Sequence, residues 1–184
     1  MGDCLIVGGG VIGLSLAYEL SRRGMGVTLV EQGEWGGQAS SAAAGMLAPL
    51  KEFTAPGPML DFGMASLAYY PQWAQELEEF TGGDVQLSLE GLLTVALDDG
   101  EQAQLAEKFR WQKDAGHSVH FLTERQQLAE VEPLLTDKAQ AAIYSPYEGH
   151  INNRMLLRAL VTACKLQGVV LHSGCVVSGI AVKG

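Results

Sequence analysis

Positive charge is scarce in this chain. Twelve Lys and Arg stand against twenty-one Asp and Glu over 184 residues, a formal net charge of −9. That balance argues against a nucleic-acid partner, whose phosphates call for a basic face. No basic patch is visible, and Arg22-Arg23 reads as the solvated end of a helix, where cations suit the dipole. Long apolar runs are also missing. No stretch of about eighteen apolar residues exists, so no transmembrane helix is expected. No basic segment precedes the first apolar run, which does not fit a signal peptide, and Ile6 stands where a myristoylation signal wants Ser or Thr. The expectation is a cytoplasmic chain with no membrane partner. Cysteine is sparse: Cys4, Cys164 and Cys175 are odd in number, widely spaced and set in apolar segments, which suggests reduced, buried thiols. His117, His120, His150 and His172 are isolated, so no metal site is expected. No dyad or triad for nucleophilic or acid–base catalysis is in view, and no catalytic residue is assigned.

What is present is concentrated at the start. The order is a buried strand over 3–7, a Gly-rich turn Gly8-Gly9-Gly10-Val11-Ile12-Gly13, a helix over 11–23, and a second strand over 27–31 with Glu31 at its tip. This is the pattern of a βαβ unit that binds the ADP half of a dinucleotide. Gly8 allows the sharp turn from strand to helix. Gly10, without a Cβ, lets backbone approach a pyrophosphate, and Gly13 lets helix and strand pack closely. The helix start offers free N–H groups and a positive dipole end to phosphates. Glu31, eighteen residues past Gly13, suits ribose hydroxyls and disfavours a 2′-phosphate, hence NADP. Apolar strands, with Ala17 and Leu20 inward at helical spacing, support the pattern over an ordinary α/β turn.

Beyond it, Gln32 to Gln38 form a loop, and Ala39 to Leu47 read as a short, small-sided helix with a Ser cap. Residues 49–58, with three prolines, are expected to be irregular. A helix over 59–81 is expected to kink or break at Pro71 and to end at Gly82-Gly83. Residues 87–89 and 92–97 flank Glu90-Gly91 as a β-hairpin. A helix over 98–115, a strand over 119–122 and a short helix capped at Thr123 follow. Then come a strand over 139–145, a helix from Asn152 or Asn153 to Gln167, and strands over 169–172 and 175–182. The order is βαβ, antiparallel β with helices, then αβ. It predicts an α/β fold in which a dinucleotide domain (1–84 and 147–184) is split by a smaller α+β domain over 85–146.

On these residues the chain resembles the FAD-dependent amino acid oxidases of the D-amino acid oxidase type, and within them the glycine oxidase group of thiamine biosynthesis. The resemblance rests on five features: Gly8 to Gly13 with Glu31; Ser40-Ser41-Ala42-Ala43-Ala44-Gly45-Met46-Leu47; the segment around Gly91; Leu128, Glu132-Pro133 and Leu134; and Glu148-Gly149-His150-Ile151 leading to Val177. Together they span nearly the whole chain. Asn152-Asn153 stands where the family usually has an acidic residue and a proline, and since both can cap a helix the fold is expected to survive. Family members are far longer chains, so an N-terminal fragment is expected, with the family's substrate-binding tyrosine and arginines lacking counterparts.

The resemblance implies a Rossmann-like FAD-binding domain carrying an inserted, truncated substrate domain. It implies FAD as cofactor, with a small amino acid or amine and molecular oxygen as the other reactants. The C–N bond would be oxidised to an imine, with hydrogen peroxide released; in the glycine oxidase group the imine of glycine feeds thiazole synthesis. It places Gly8, Gly10, Val11, Ile12 and Gly13 under the pyrophosphate, and Glu31 with Gln32 at the ribose. Ala39 and Ser40 would lie along adenosine and diphosphate, Ala44, Gly45 and Met46 beside the isoalloxazine, and the Val177 backbone at the adenine. Plainer readings stay open: Ser40 and Ser41 as caps, the alanines as helix formers, Met46 and Val177 as core. Tyr69, Tyr70, Trp73 and Trp111 read as packing residues. The rivals are a sarcosine- or proline-type oxidase or dehydrogenase on the same scaffold, an inactive nucleotide-binding half-domain, and a plain NAD domain. An assembly of identical copies is left open.

Overall fold

The computed structural model describes residues 3–181. In chain order the first elements are β1 (Cys4–Val7), α1 (Val11–Arg22), β2 (Val27–Val30), α2 (Ala39–Ala42), β3 (Met46–Leu47), α3 (Pro49–Glu52) and α4 (Pro58–Thr81). They are followed by β4 (Leu92–Ala96), α5 (Asp99–Asp114), β5 (His120–Leu122), α6 (Arg125–Val131), β6 (Ala141–Ser145), β7 (Gly149–His150), α7 (Asn153–Leu166) and β8 (Val170–His172). No helix among the described residues is long and apolar enough to cross a membrane.

The chain divides into two compact units. The first comprises residues 1–45, 72–87 and 151–184; the second comprises 46–71 and 88–150. Residues 46–71, grouped by sequence with the opening segment, therefore belong to the second unit. The division falls beside Pro71, through which α4 runs as one helix of 24 residues without the expected break.

The first unit is built on a parallel sheet of order β1-β2-β8, with Cys4 opposite Val27 and Thr28 opposite Val170. Parallel strands need crossovers, which α1 and α7 supply. Leu14, Ala17 and Tyr18 recur at helical spacing on α1 and are buried. Leu156, Leu160, Ala163 and Cys164 form the matching stripe on α7. The Cys164 thiol donates to Leu14 O, and burial pushes its pKa up to about 11, which makes it an inert core group. Cys175, by contrast, is exposed. The later part of α4 is tied to α1 by Arg22 to Glu76 at 2.9 Å and by Trp73 Nε1 donating to Glu19 at 3.0 Å.

The strand expected over 175–182 does not form across its described residues, 175–181. Gly174, at φ +69°, turns the chain after β8, and Cys175 N–H then donates to Glu31 O at 2.9 Å instead of extending the sheet. Residues 182–184 lie outside the described residues.

The second unit holds an antiparallel sheet of order β4-β6-β5 and the short pair β3-β7. Its core gathers Leu50, Leu60, Ala96, Leu105, Val119, Ala141 and Ile143. The hairpin expected around Gly91 is absent. Ser88 bridges His150 and Gly91 N–H donates to Glu148 O, so residues 88–91 follow β7, while β4 pairs with β6. The start of α5 is a reciprocal cap: Asp98 accepts from Glu101 N–H at 2.8 Å, and Glu101 accepts from Leu97 N–H at 2.7 Å. Thr123 does not cap α6, whose N-cap residue is Glu124 with no side-chain bond. Arg125, the first residue of α6, reaches instead to Leu135 O, Thr136 O and Asp137.

Residues 49–52, expected to be irregular, form the one-turn helix α3. A helix this short leaves its N–H and C=O groups without internal partners. Side chains far away in sequence supply them. Glu148 accepts from Leu50 N–H at 2.5 Å, Gln112 Nε2 donates to Leu50 O at 2.8 Å, and Lys108 donates to Lys51 O. Glu148 is 1% exposed. Burial pushes its carboxyl above the usual range, opposed by the Leu50 N–H bond. Glu148→Ala removes the acceptor and is expected to cost about 1–3 kcal/mol. Wild type loses stability as pH rises from the unfolded carboxyl value of 4.5 through the raised native value, whereas a glutamine never ionises. Glu148→Gln is therefore expected to gain on wild type across that window in urea unfolding. A difference that stays flat with pH contradicts this.

Candidate functional site

The candidate site lies in the first unit, where β1 passes into α1. Gly8, at φ +106°, makes the turn, and its N–H donates to Val30 O at 2.8 Å. Gly10 is the N-cap of α1 and brings no side chain to it. Leu14 N–H is bonded to Gly10 O at 3.0 Å. The N–H groups of Val11, Ile12 and Gly13 thus belong to the open first turn, at the positive end of the dipole. Val11 N–H donates to Ser40 Oγ at 3.0 Å, and the Ile12 side chain is 82% exposed. At Gly13 a Cβ would overlap Gly8 O, so only glycine permits this approach of helix to strand.

Glu31 turns toward the glycine turn. Its Oε2 accepts from Gly9 N–H at 2.7 Å and its Oε1 from Gly33 N–H at 2.8 Å. These bonds, Gly9 first, hold the carboxyl below its ordinary range in spite of burial to 8% exposure. Each carboxylate oxygen carries two acceptor sites, so the group can still take hydroxyl donors. Gln32 beside it is exposed. Trp35 lies against Gly9, where a Cβ would come within 2.5 Å of its ring, and Gly36 N–H donates to Gly9 O.

The small-sided segment is shorter as a helix than expected. Only Ala39–Ala42 are helical; Ala43 leaves the helix with extended backbone, and Ala44 beyond it is exposed. Asn153 accounts for this: its Nδ2 donates to both Ser40 O and Ala43 O at 2.6 Å. Asn152 is the cap of α7, accepting from Met155 N–H at 3.2 Å. Gly45 takes φ +76°, and a Cβ there would overlap Ile151 O. Met46 belongs to the second unit, on β3, and is half exposed. Val177 is 41% exposed, two residues past the bond of Cys175 to Glu31.

Gly8, Gly10, Val11, Ile12, Gly13, Glu31 and Ser40 thus converge on the start of α1. Ala39, Ala44 and Gly45 lie along the segment anchored by Asn153. Gly9 and Trp35 were given no role by sequence, and Asn153 was read only as a possible helix cap. Two successive asparagines at a helix start were a signal, since only one of them can be the cap. A low-pKa carboxylate, a side-chain-free turn and an open helix start fit the ribose and diphosphate of an adenine dinucleotide.

Comparison with known proteins agrees. A family described as FAD-dependent oxidoreductase matches residues 3–184. Glycine oxidase of Geobacillus kaustophilus is 38% identical over 171 residues, covering 92% of this chain and 45% of that protein. The bifunctional protein ThiO/ThiG of Synechocystis is 33% identical over 183 residues, covering 98% of this chain and 26% of that protein. The crystal structure of glycine oxidase from Bacillus cereus superposes with a TM-score of 0.91 at 32% identity, covering all of this chain and 49% of that one. The chain thus spans about half or less of the length of these relatives. A match across 3–184 takes in both units and the site together, and the chain belongs to the FAD-dependent oxidoreductase family.

Proposed function

We propose that this chain carries the nucleotide-holding part of an FAD-dependent enzyme that oxidises the C–N bond of a small amino acid or amine. The proposed activity is of the glycine oxidase kind, with an imine formed and molecular oxygen reduced to hydrogen peroxide. The observation that carries it is the pairing of the Glu31 carboxylate with Gly9 N–H beside the open start of α1. The 38% identity to a glycine oxidase supports the substrate class.

In this reading Gly8, Gly10, Val11, Ile12 and Gly13 hold the diphosphate, with Ser40 and Ala39 alongside, and Glu31 and Gln32 hold the ribose. The Val177 backbone meets the adenine, and Ala44, Gly45 and Met46 run beside the isoalloxazine. The first unit serves chiefly the cofactor, and the second chiefly the substrate. FAD when bound supplies the two-electron acceptor, and the protein's part is placement and exclusion of water.

The test is reconstitution of the purified chain. It is expected to take up FAD, giving a yellow protein, and to show no calorimetric binding of NAD. By itself it is expected not to release peroxide from glycine, sarcosine or D-alanine, since it spans 45% of the length of the glycine oxidase it matches. NAD binding without FAD uptake, or full turnover by the chain alone, sinks the respective half of the reading.

A further inference from the structure

A second cavity lies in the first unit, on another side of the loop after β2. It has a volume of about 600 Å³ and is walled by Trp35, Gly36, Leu157, Val161, Arg154 and Arg158. None of the residues at the start of α1 lines it, nor does Glu31. That size suits a small ligand. Its floor is fixed: Gly36, at φ +68°, sits on Leu157 so closely that a Cβ would come within 2.6 Å of the leucine methyl. Trp35 is wedged between this floor and Gly9.

Arg154 and Arg158 stand one turn apart on α7, which brings their side chains to one face. Both are exposed, and neither is paired with a carboxylate among the described residues. Arg22 and Arg125 each close on an acid. Arg23 and Arg110 are also without an ion pair among the described residues, so what sets Arg154 and Arg158 apart is that they stand one turn apart on the wall of one cavity beside an indole. Helix stability does not call for them: Arg154 is in the first turn of α7, where a cation opposes the dipole. Guanidinium forks match phosphate oxygens, and an indole face matches a planar ring. At the rim, the Ser41 and Thr162 hydroxyls donate to Gln38 O and Arg158 O, so their remaining lone pairs face a ligand only as acceptors. Glu34, also at the rim, keeps the anionic end of a ligand at the arginines.

We propose that this cavity is a binding site for a small phosphorylated aromatic compound, its phosphate on Arg154 and Arg158 and its ring on Trp35. The site shares no lining residue with the start of α1, although Trp35 touches Gly9, and its test does not depend on FAD. The full chain is titrated calorimetrically with phenyl phosphate, inorganic phosphate and phenol. Phenyl phosphate is expected to bind most tightly, inorganic phosphate more weakly, and phenol not measurably. Arg154→Gln with Arg158→Gln, both exposed changes, is expected to weaken phenyl phosphate by about tenfold or more, the loss of one charge-assisted contact or more. Trp35→Leu is expected to remove the preference for phenyl phosphate over inorganic phosphate. Lys113→Gln, on α5 of the second unit, is expected to change nothing. Unaltered binding in the double arginine variant, displacement of phenyl phosphate by ADP, or no binding at millimolar probe overturns the proposal.

Discussion

Gly13→Ala is expected to be the most damaging single methyl addition in the first unit, costing about 3 kcal/mol or more and removing measurable FAD uptake. The added Cβ would fall on Gly8 O, a backbone atom that no rotamer change can move. Relief requires α1 to lift from the turn at Gly8. That movement also disturbs the contact of Leu14 with the thiol of Cys164 and the bond from Val11 N–H to Ser40. The overlap therefore acts on stability and on the cofactor site at once. Gly168→Ala serves as the control. It sits at φ +78° with nothing within 4 Å of a Cβ, so it meets only the left-handed backbone cost of about 1–2 kcal/mol. Urea unfolding of both variants, with FAD titration followed by flavin absorbance, separates the two effects. A Gly13→Ala protein that unfolds within about 1 kcal/mol of wild type and still takes up FAD contradicts this account.

How far the fold could be read from the chain follows from how local each signal is. The βαβ start was legible because every part of it is local: an apolar strand, a glycine turn, a helix with Ala17 facing inward, and Glu31 at the next strand end, although the buried stripe runs through Leu14 and Tyr18 and leaves Leu20 half-buried. The start of α5 beside Asp98 was legible for the same reason, though its cap was not read. The turn signal at Glu90-Gly91 was real, but its partner is chosen in three dimensions. Residues 88–91 find β7, and β4 finds β6, a pairing that no local pattern announces. The helix over 49–52 was hidden by Pro49 and the prolines that follow it, because what sustains it comes from Gln112 and Glu148, far along the chain. In the site, the residue types were legible and their connections were not. Ser40 reads as a helix cap, yet its hydroxyl accepts from Val11 on another helix. Asn153 reads as a cap, yet it anchors the segment beside Gly45.

Glu31→Gln is expected to weaken FAD binding by about tenfold or more and to destabilise the protein by about 1–3 kcal/mol near neutral pH. The carboxylate takes two backbone N–H donors, one on each oxygen. A glutamine has one oxygen and one NH₂, so either Gly9 or Gly33 loses its acceptor and faces a donor instead. The pH dependence identifies the cause. The native carboxyl lies below its unfolded value of 4.5, so its stabilisation is complete above that value and is lost as pH falls through the native one. Once protonated, Glu31 resembles the glutamine in donor pattern. The stability gap between wild type and Glu31→Gln is thus expected to be constant above the unfolded value of 4.5 and to narrow as pH falls below it through the native value. Urea unfolding across that range reads the gap directly. A gap that persists undiminished in acid assigns the effect to side-chain shape, and the absence of a gap at neutral pH removes the charge at Glu31 from both the fold and the cofactor site.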